Sequence, residues 1–386
     1  MTHPAFGSQR AVARLVRTWS ALIAVWRAVA LRNDRASECK TMHRGKRFGI
    51  AAHGLAAMLL VAAAAPKPAA AEDVPTLILA TALPSGNPLA EQVLHPWADR
   101  VNAAANGKLR IDIRDGMAIA NLNNSYDRVV ADVVQISWLT HHTFAGKFQR
   151  TDVGGLPFVA GERAEPASVA LWRLYGSGLL DAEYDEARPI MMAVLSQAGF
   201  HFRNAPASLA NLKGLKVIPP SRETGELAER LGMAPIVLNV SQAYEALQHH
   251  TVDGLMLGWT AVISFKLQEL TSYHVEAALG TTTGMLFMAK KRYAALPASA
   301  RQVLDKFSGE GESRELGKFW DRLQVFGEKT VKAVPNQTVL NAPPEQVAQW
   351  RAQAEPIVAG WAHRTPDGEK VLAAFRAQLA RVDAGQ

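Results

Sequence analysis

Cysteine is almost missing: the single thiol among 386 residues is Cys39. One thiol excludes an internal disulfide framework and a multi-cysteine metal site, and the chain beyond it has no cysteine nucleophile. The signatures of common enzyme chemistry are missing too, with no P-loop, no G-x-S-x-G elbow, no G-x-G-x-x-G after a strand and no H-E-x-x-H. Gly309-Glu310-Gly311-Glu312 lacks a flanking strand and is read as a polar turn in a loop. His141-His142 and His249-His250 are adjacent pairs whose side chains diverge on a helix or strand, without a third ligand at helical spacing. Surface or capping roles suit them better than a metal site. No catalytic group, metal or cofactor is expected.

Excess charge is also missing from most of the chain. The formal net charge is +7, but residues 1–71 hold eleven Lys/Arg against two acidic residues, leaving 31 basic and 33 acidic residues beyond. That remainder has no basic excess with which to bind nucleic acid. The front itself has a different logic. Arg44, Lys46 and Arg47 form a positive n-region, residues 48–65 an Ala/Leu-rich h-region, and Ala69-Ala70-Ala71 an A-x-A site, the pattern of a secretory signal cleaved after Ala71. His53 and Gly54 interrupt the apolar run, which makes it a poor permanent span. Residues 1–41 are an arginine-rich upstream extension, and both Met1 and Met42 are possible starts. An amphipathic surface helix over Val12 to Ala30, carrying Trp19 and Trp26, is the alternative reading of that extension. With no cysteine at the cleavage site, the expected product is a periplasmic protein without stable membrane insertion.

What is present after Glu72 alternates between strand and helix periods. Thr76 to Ala82 reads as a strand, Pro88 to Asn106 as a helix closed by Gly107, and Leu109 to Ile113 as a strand; a helix from about Asn124 to Ala131 and a buried strand from Val133 to Leu139 follow. A second set starts near Ala198. There, Gly214 to Ile218 is a strand, Glu223 to Leu231 a helix and Pro235 to Val240 a strand; Gln242 to His249, capped by Ser241, is a helix, and Val252 to Leu257 a further strand. From Pro297 onward the pattern is mostly helical, ending in helices over Pro343 to Ala362 and Asp367 to Val382. The predicted fold is α/β, a two-lobed clamshell of the periplasmic-binding-protein kind with C-terminal helices. Lobe I is expected to span 72–196 plus about 282–320, and lobe II 197–281 plus about 321–386. Open α/β sheets bind ligands beyond the carboxyl ends of their strands, so the cleft lies where those loops meet.

Residues 209–254 resemble the dicarboxylate-receptor (DctP) type of TRAP (tripartite ATP-independent periplasmic) solute-binding protein. Leu212-Lys213-Gly214-Leu215-Lys216-Val217 is similar to that family's LKGLK strand and Leu231-Gly232-Met233-Ala234-Pro235 to its (L/V)GA-x-P turn. Val240 to Gln248 is similar to its FSEVYxALQ helix, and Val252-Asp253-Gly254 completes the match. Weaker similarity reaches from Leu83-Pro84-Ser85-Gly86, through Gly107-Lys108-Leu109, Leu156-Pro157-Phe158 and Leu296-Pro297, to Ile357 through Ala362. The resemblance implies two lobes joined by a long spanning helix. It also implies a receptor that captures a small organic solute, commonly a carboxylate gripped by an arginine, and hands it to TRAP transporter membrane subunits.

The pattern breaks at the ligand contacts. Where the family strand continues to arginine, this chain has Ile218; where the family's VDGQENP has the substrate-contacting asparagine, it has Leu257. A buried carboxylate without a cation costs several kcal/mol, so a less acidic, more apolar or aromatic ligand is expected. The competing reading is an organic-acid receptor with a relocated arginine, Arg203 or Arg222, each of which also suits a solvated surface. Trp138, Phe158, Phe200 and Trp259 are candidate aromatic walls, although ordinary core packing explains each one singly. Thr140, His141 and Tyr244 are candidate hydrogen-bonding groups, or else satisfy loop backbone and pack a helix face. A hydrolase or isomerase would need clustered titratable groups in the cleft, whereas the positions placed there are mainly apolar. A periplasmic ligand-sensing protein would share the fold and differ in its partner. N-terminal sequencing of the exported protein is expected to begin at Glu72, and an N-terminus ahead of residue 48 would mean that the apolar run is retained.

Overall fold

The apolar run after Pro75 becomes β1 (Thr76–Ala80) of the computed structural model, which describes residues 74–386. The upstream extension, signal segment, cleavage site and Cys39 lie outside the described residues. The expected Pro88 to Asn106 helix starts at Pro88 and passes through a π-helical stretch, Ala90–Leu94, before α1 (His95–Ala105). Its Trp97 and Val101 are fully buried, and it stops where Asn106 takes a left-handed conformation, φ 45°, ahead of Gly107. Then come β2 (Arg110–Arg114), α2 (Ser125–Val130) and β3 (Ile136–Thr140). Helix α3 (Ala164–Gly176) and β4 (Ala187–Val194) complete the first half.

The second half contains β5 (Gly199–Phe202), β6 (Lys216–Ile218), α4 (Arg222–Arg230), β7 (Ala234–Pro235), α5 (Ala243–Gln248), β8 (Gly254–Leu257), α6 (Trp259–Ser264) and β9 (Tyr273–Glu276). The chain then returns through β10 (Thr283–Ala289), α7 (Lys290–Ala294), α8 (Ala298–Lys306) and α9 (Glu310–Lys332). It ends with β11 (Thr338–Asn341), α10 (Pro344–Arg364) and α11 (Gly368–Asp383). Strand β7 is far shorter than the expected Pro235 to Val240, because it pairs with β6 only at Ala234 and Pro235 before the chain turns away. The cap ahead of α5 is Asn239 rather than Ser241, closed reciprocally with the Gln242 side chain.

One sheet has the order β2-β1-β3-β10-β4, the other β11-β9-β5-β8-β6-β7. In the first, β1 pairs in parallel with β2 and β3, and the returning β10 wedges antiparallel between β3 and β4. Each sheet is covered on both faces, as the apolar strands require. Helices α2, α3 and α11 pack on one face of the first sheet, and α1, α8 and α9 on the other. Around the second sheet, α4 and α10 share one core and α5, α6 and the end of α9 share another. Two expectations change here. Gly309 to Glu312 is no loop: it starts α9, with Glu310 and Glu312 in the positive first turn and Glu310 bridged to Arg173 at 2.9 Å, a partner far away in sequence. Helix α11, expected with the second half, packs on α3 of the first, where Val371, Leu372 and Phe375 are buried.

Helix α9 touches both halves, and glycine allows each contact. A Cβ at Gly317 would lie 2.6 Å from Glu165 Cα at the start of α3, and one at Gly327 would lie 2.9 Å from Trp259 Cβ in α6. Gly311, in the same helix, has nothing within 4 Å. Alanine favours a helix over glycine by about 1 kcal/mol, whereas overpacking costs about 1–3 kcal/mol. Gly317→Ala and Gly327→Ala are therefore expected to destabilise the protein and Gly311→Ala to be neutral or stabilising. Denaturant unfolding checks the contrast, and stabilisation by all three would refute the close crossings.

Candidate functional site

The parallel strands β1, β3 and β6, together with the neighbouring β8, end on one crevice between the two sheets. Their following residues, Leu83, His142, Pro219 and Gly258, border a common cavity of about 140 Å³. Ligand pockets for drug-sized molecules run to about 300–1,000 Å³, so this chamber fits a solute of one ring or a few carbons. The floor comes from the two chain crossings, through Leu195, Ser196, Thr281 and Thr282, and from Trp320 and Leu323 of α9. Those crossings are bonded to one another: Leu195 N donates to Thr282 O at 3.0 Å and Ala198 N to Gly280 O at 2.8 Å.

Apolar side chains make most of the wall. Ile218 and Leu257 close the ends of β6 and β8, and Trp138 lies 6.3 Å from Trp320 between ring centroids. The indole Nε1 of Trp320 is buried with no acceptor among the described residues. The polar wall is sparse. Asn87 Oδ1 accepts from Leu89 N at 2.9 Å, while the Thr140 and Thr143 hydroxyls meet at 2.9 Å. Asn239 Nδ2 donates across the crevice to Asn123 Oδ1 at 3.1 Å. His142 Nδ1 lies 2.7 Å from Thr282 Oγ1. No lysine or arginine lines the chamber among the described residues.

Beyond His142, Pro219, Pro220 and Leu238 the crevice widens into a polar vestibule of about 820 Å³. Its charges are Asp152, Arg222, Glu223, Glu226, Glu229 and Arg364. Arg222 Nε pairs with Glu226 at 3.0 Å, and Arg364 with Glu223 at 2.7 Å. Burial, reinforced by the nearby Glu223 and Glu183 carboxylates, pushes Asp152 well above the usual carboxylate range. His142 keeps exposed surface at the crevice, yet enough protein surrounds the ring to push its pKa down to about 4, leaving it neutral at ordinary pH.

Of the residues singled out from the sequence, Trp138, Thr140, Ile218 and Leu257 border the chamber, and Arg222 borders only the vestibule. The others lie elsewhere. Phe200 is fully buried beside Phe202 and Trp350, and Phe158 packs on the same core under the Arg351 guanidinium at 5.0 Å. Arg203 donates to Leu247 O and meets His250. Tyr244 donates to Glu269 at 3.0 Å. His141 is buried between Thr283 and Tyr184, at 2.9 and 3.1 Å, with burial driving its pKa to about 3. Trp259 stands behind the wall: its Nε1 donates to Glu276 at 2.9 Å and its ring packs edge-on to His201 at 4.6 Å. His201 Nε2 in turn bonds Leu257 O at 2.9 Å, so this buried group fixes the wall without lining it.

The sequence reading missed Asn87, His142, Asn239, Thr282 and Trp320. Four stand in loops or crossings that no periodicity marks, and an aromatic residue in a helical stripe reads as core.

Comparison with known proteins agrees with this geometry. Residues 79–364 match the family model DctP, bacterial extracellular solute-binding protein, family 7. A TRAP solute-binding protein from Rhodoferax ferrireducens T118, solved in complex with copurified benzoate, superposes with a TM-score of 0.74. It is 29% identical, and the match covers 79% of this chain and 98% of that one. A marine-metagenome TRAP solute-binding protein specific for aromatic acid ligands, from an unidentified microbe, is 25% identical with a TM-score of 0.74, covering 80% of this chain and 99% of that one. The outer membrane transporter protein TsaT of Comamonas testosteroni is 26% identical over 317 residues, 79% of this chain and 92% of its own length. With its two sheets, their shared crevice and a family match across most of the described residues, the chain belongs to the DctP family of bacterial extracellular solute-binding proteins, the periplasmic receptors that capture a small organic molecule for TRAP transporter membrane subunits.

Proposed function

We propose that the solute of this receptor is a single-ring aromatic molecule, held in the chamber without chemical change. The observation that carries this reading is the hydrocarbon of Ile218 and Leu257, with Trp138 and Trp320, where the family pattern has an arginine and an asparagine. Burying a flat ring there gains about 25 cal/mol per Å² of apolar surface. A small dicarboxylate gains little and loses water from two charges with no guanidinium to meet it. The relocated-arginine alternative finds no support in the chamber, since Arg203 and Arg222 are engaged outside it. The benzoate held by the Rhodoferax relative supports the same class of ligand. We also propose that export uses the signal segment with cleavage after Ala71. The solute then favours a closed arrangement of the two halves in proportion to its extra contacts there.

A thermal-shift screen of the mature protein tests this. Ligand at about 100 times its Kd stabilises by about 2.7 kcal/mol, so one-ring aromatics are expected to raise Tm by several degrees. Succinate and malate are expected to leave it unchanged; the opposite ranking would overturn the proposal. Leu257→Asn, which places an amide in the apolar wall, is expected to weaken ring binding about tenfold, about 1.4 kcal/mol, by calorimetric titration.

A further inference from the structure

His142 is the one titratable side chain lining the chamber among the described residues. It stands at the threshold, bordering both chamber and vestibule. Thr282 fixes its ring. The Thr282 hydroxyl holds the ring at Nδ1, 2.7 Å away, and either atom can be the donor while the ring is neutral. Once protonated, the ring carries hydrogen on both nitrogens, with Nδ1–H donating to Thr282 Oγ1 and Nε2–H left to donate to a solute. Nε2 has no hydrogen-bond partner among the described residues.

We propose that His142 Nε2 receives the carboxyl group of an aromatic monocarboxylic acid, and that the acid is bound together with one proton. The inference rests on the aromatic reading of the chamber and names the chemistry of the ligand's polar end. The balance is simple: carboxylate, one proton from solvent and neutral His142 give a carboxylate paired with Nε2–H, and no other bond breaks. Solute and chamber are then jointly neutral, which a wall without lysine or arginine demands.

The surrounding charges leave this role to His142. On its own segment the neighbours are His141, held by Thr283 and Tyr184, and Asp152. From α4 come Arg222, Glu223, Glu226 and Glu229, and from α10 Arg364. Both arginines are engaged by Glu226 and Glu223. The protein packed around the ring lowers the His142 pKa, to about 4, even though its edge stays exposed at the crevice, which favours the neutral ring in the free receptor. Pairing with the carboxylate raises the pKa in the complex, and binding takes up a proton at any pH between the two values. Affinity for the acid therefore falls as pH rises through that window, by up to about tenfold per unit.

Calorimetric titration of the mature protein at about pH 6, in two buffers of different ionisation enthalpy, counts the protons. Benzoate is expected to bind with uptake approaching one proton, and uncharged benzamide with none. His142→Gln is expected to abolish the uptake and to weaken benzoate more than benzamide. The wild-type proton count stands even if that variant misfolds. Benzoate binding without proton uptake, uptake that persists in His142→Gln, or binding of benzamide alone would each overturn the inference. Binding of neither probe would sink the aromatic reading, and this inference with it.

Discussion

Ile218 and Leu257 cap the carboxyl ends of β6 and β8 with hydrocarbon, bordering the chamber between the two sheets. With no cation fixed in the wall, any charge entering the chamber must be matched by something brought in or rearranged. Trp138 and Trp320 add aromatic surface to the wall, and His142 is the one titratable side chain bordering it among the described residues. The vestibule outside has the opposite character: its two arginines are paired with Glu223 and Glu226, and the buried Asp152 faces other carboxylates.

The same segments that make the chamber also join the two halves. The crossings at 195–198 and 277–282 bond to each other, and Ser196, Thr281 and Thr282 of those crossings form the floor. Helix α9 adds Trp320 and Leu323 while touching α3 through Gly317 and α6 through Gly327. The floor of the chamber is thus made by the elements that connect the two halves. The Asn239 to Asn123 bond also crosses the crevice, at 3.1 Å.

Behind the wall, polar groups are packed to hold the apolar ones still. His201 bonds Leu257 O on one side and His274 on the other, at 2.9 and 2.8 Å, and His274 reaches Gln337 at 2.7 Å. Burial lowers the pKa of both rings, that of His201 to about 3. Trp259 closes over the pair. A fully partnered buried network of this kind makes one position of β8 strongly preferred over others, and the side chain of Leu257 is presented to the chamber from that fixed strand.

Much of this was written in the chain itself. Alternating strand and helix periods dictated the α/β halves, because period 2 and period 3.6 follow from local backbone geometry. The LKGLK and VDG segments marked strands that end on the crevice, where Ile218 and Leu257 border the chamber. Other features were legible only in three dimensions. Gly309 to Glu312 starts a helix whose Glu310 is met by Arg173 from far away in sequence, and α11 packs on α3, a partner that an amphipathic stripe does not name. Phe200, Phe158 and Trp259 went to cores, since an aromatic side chain carries no mark of whether protein or solute will cover it. His142, Asn239 and Thr282 came together from three separated segments. Local sequence determines which residues form strands and helices, whereas long-range packing alone decides which loop side chains converge on one small chamber.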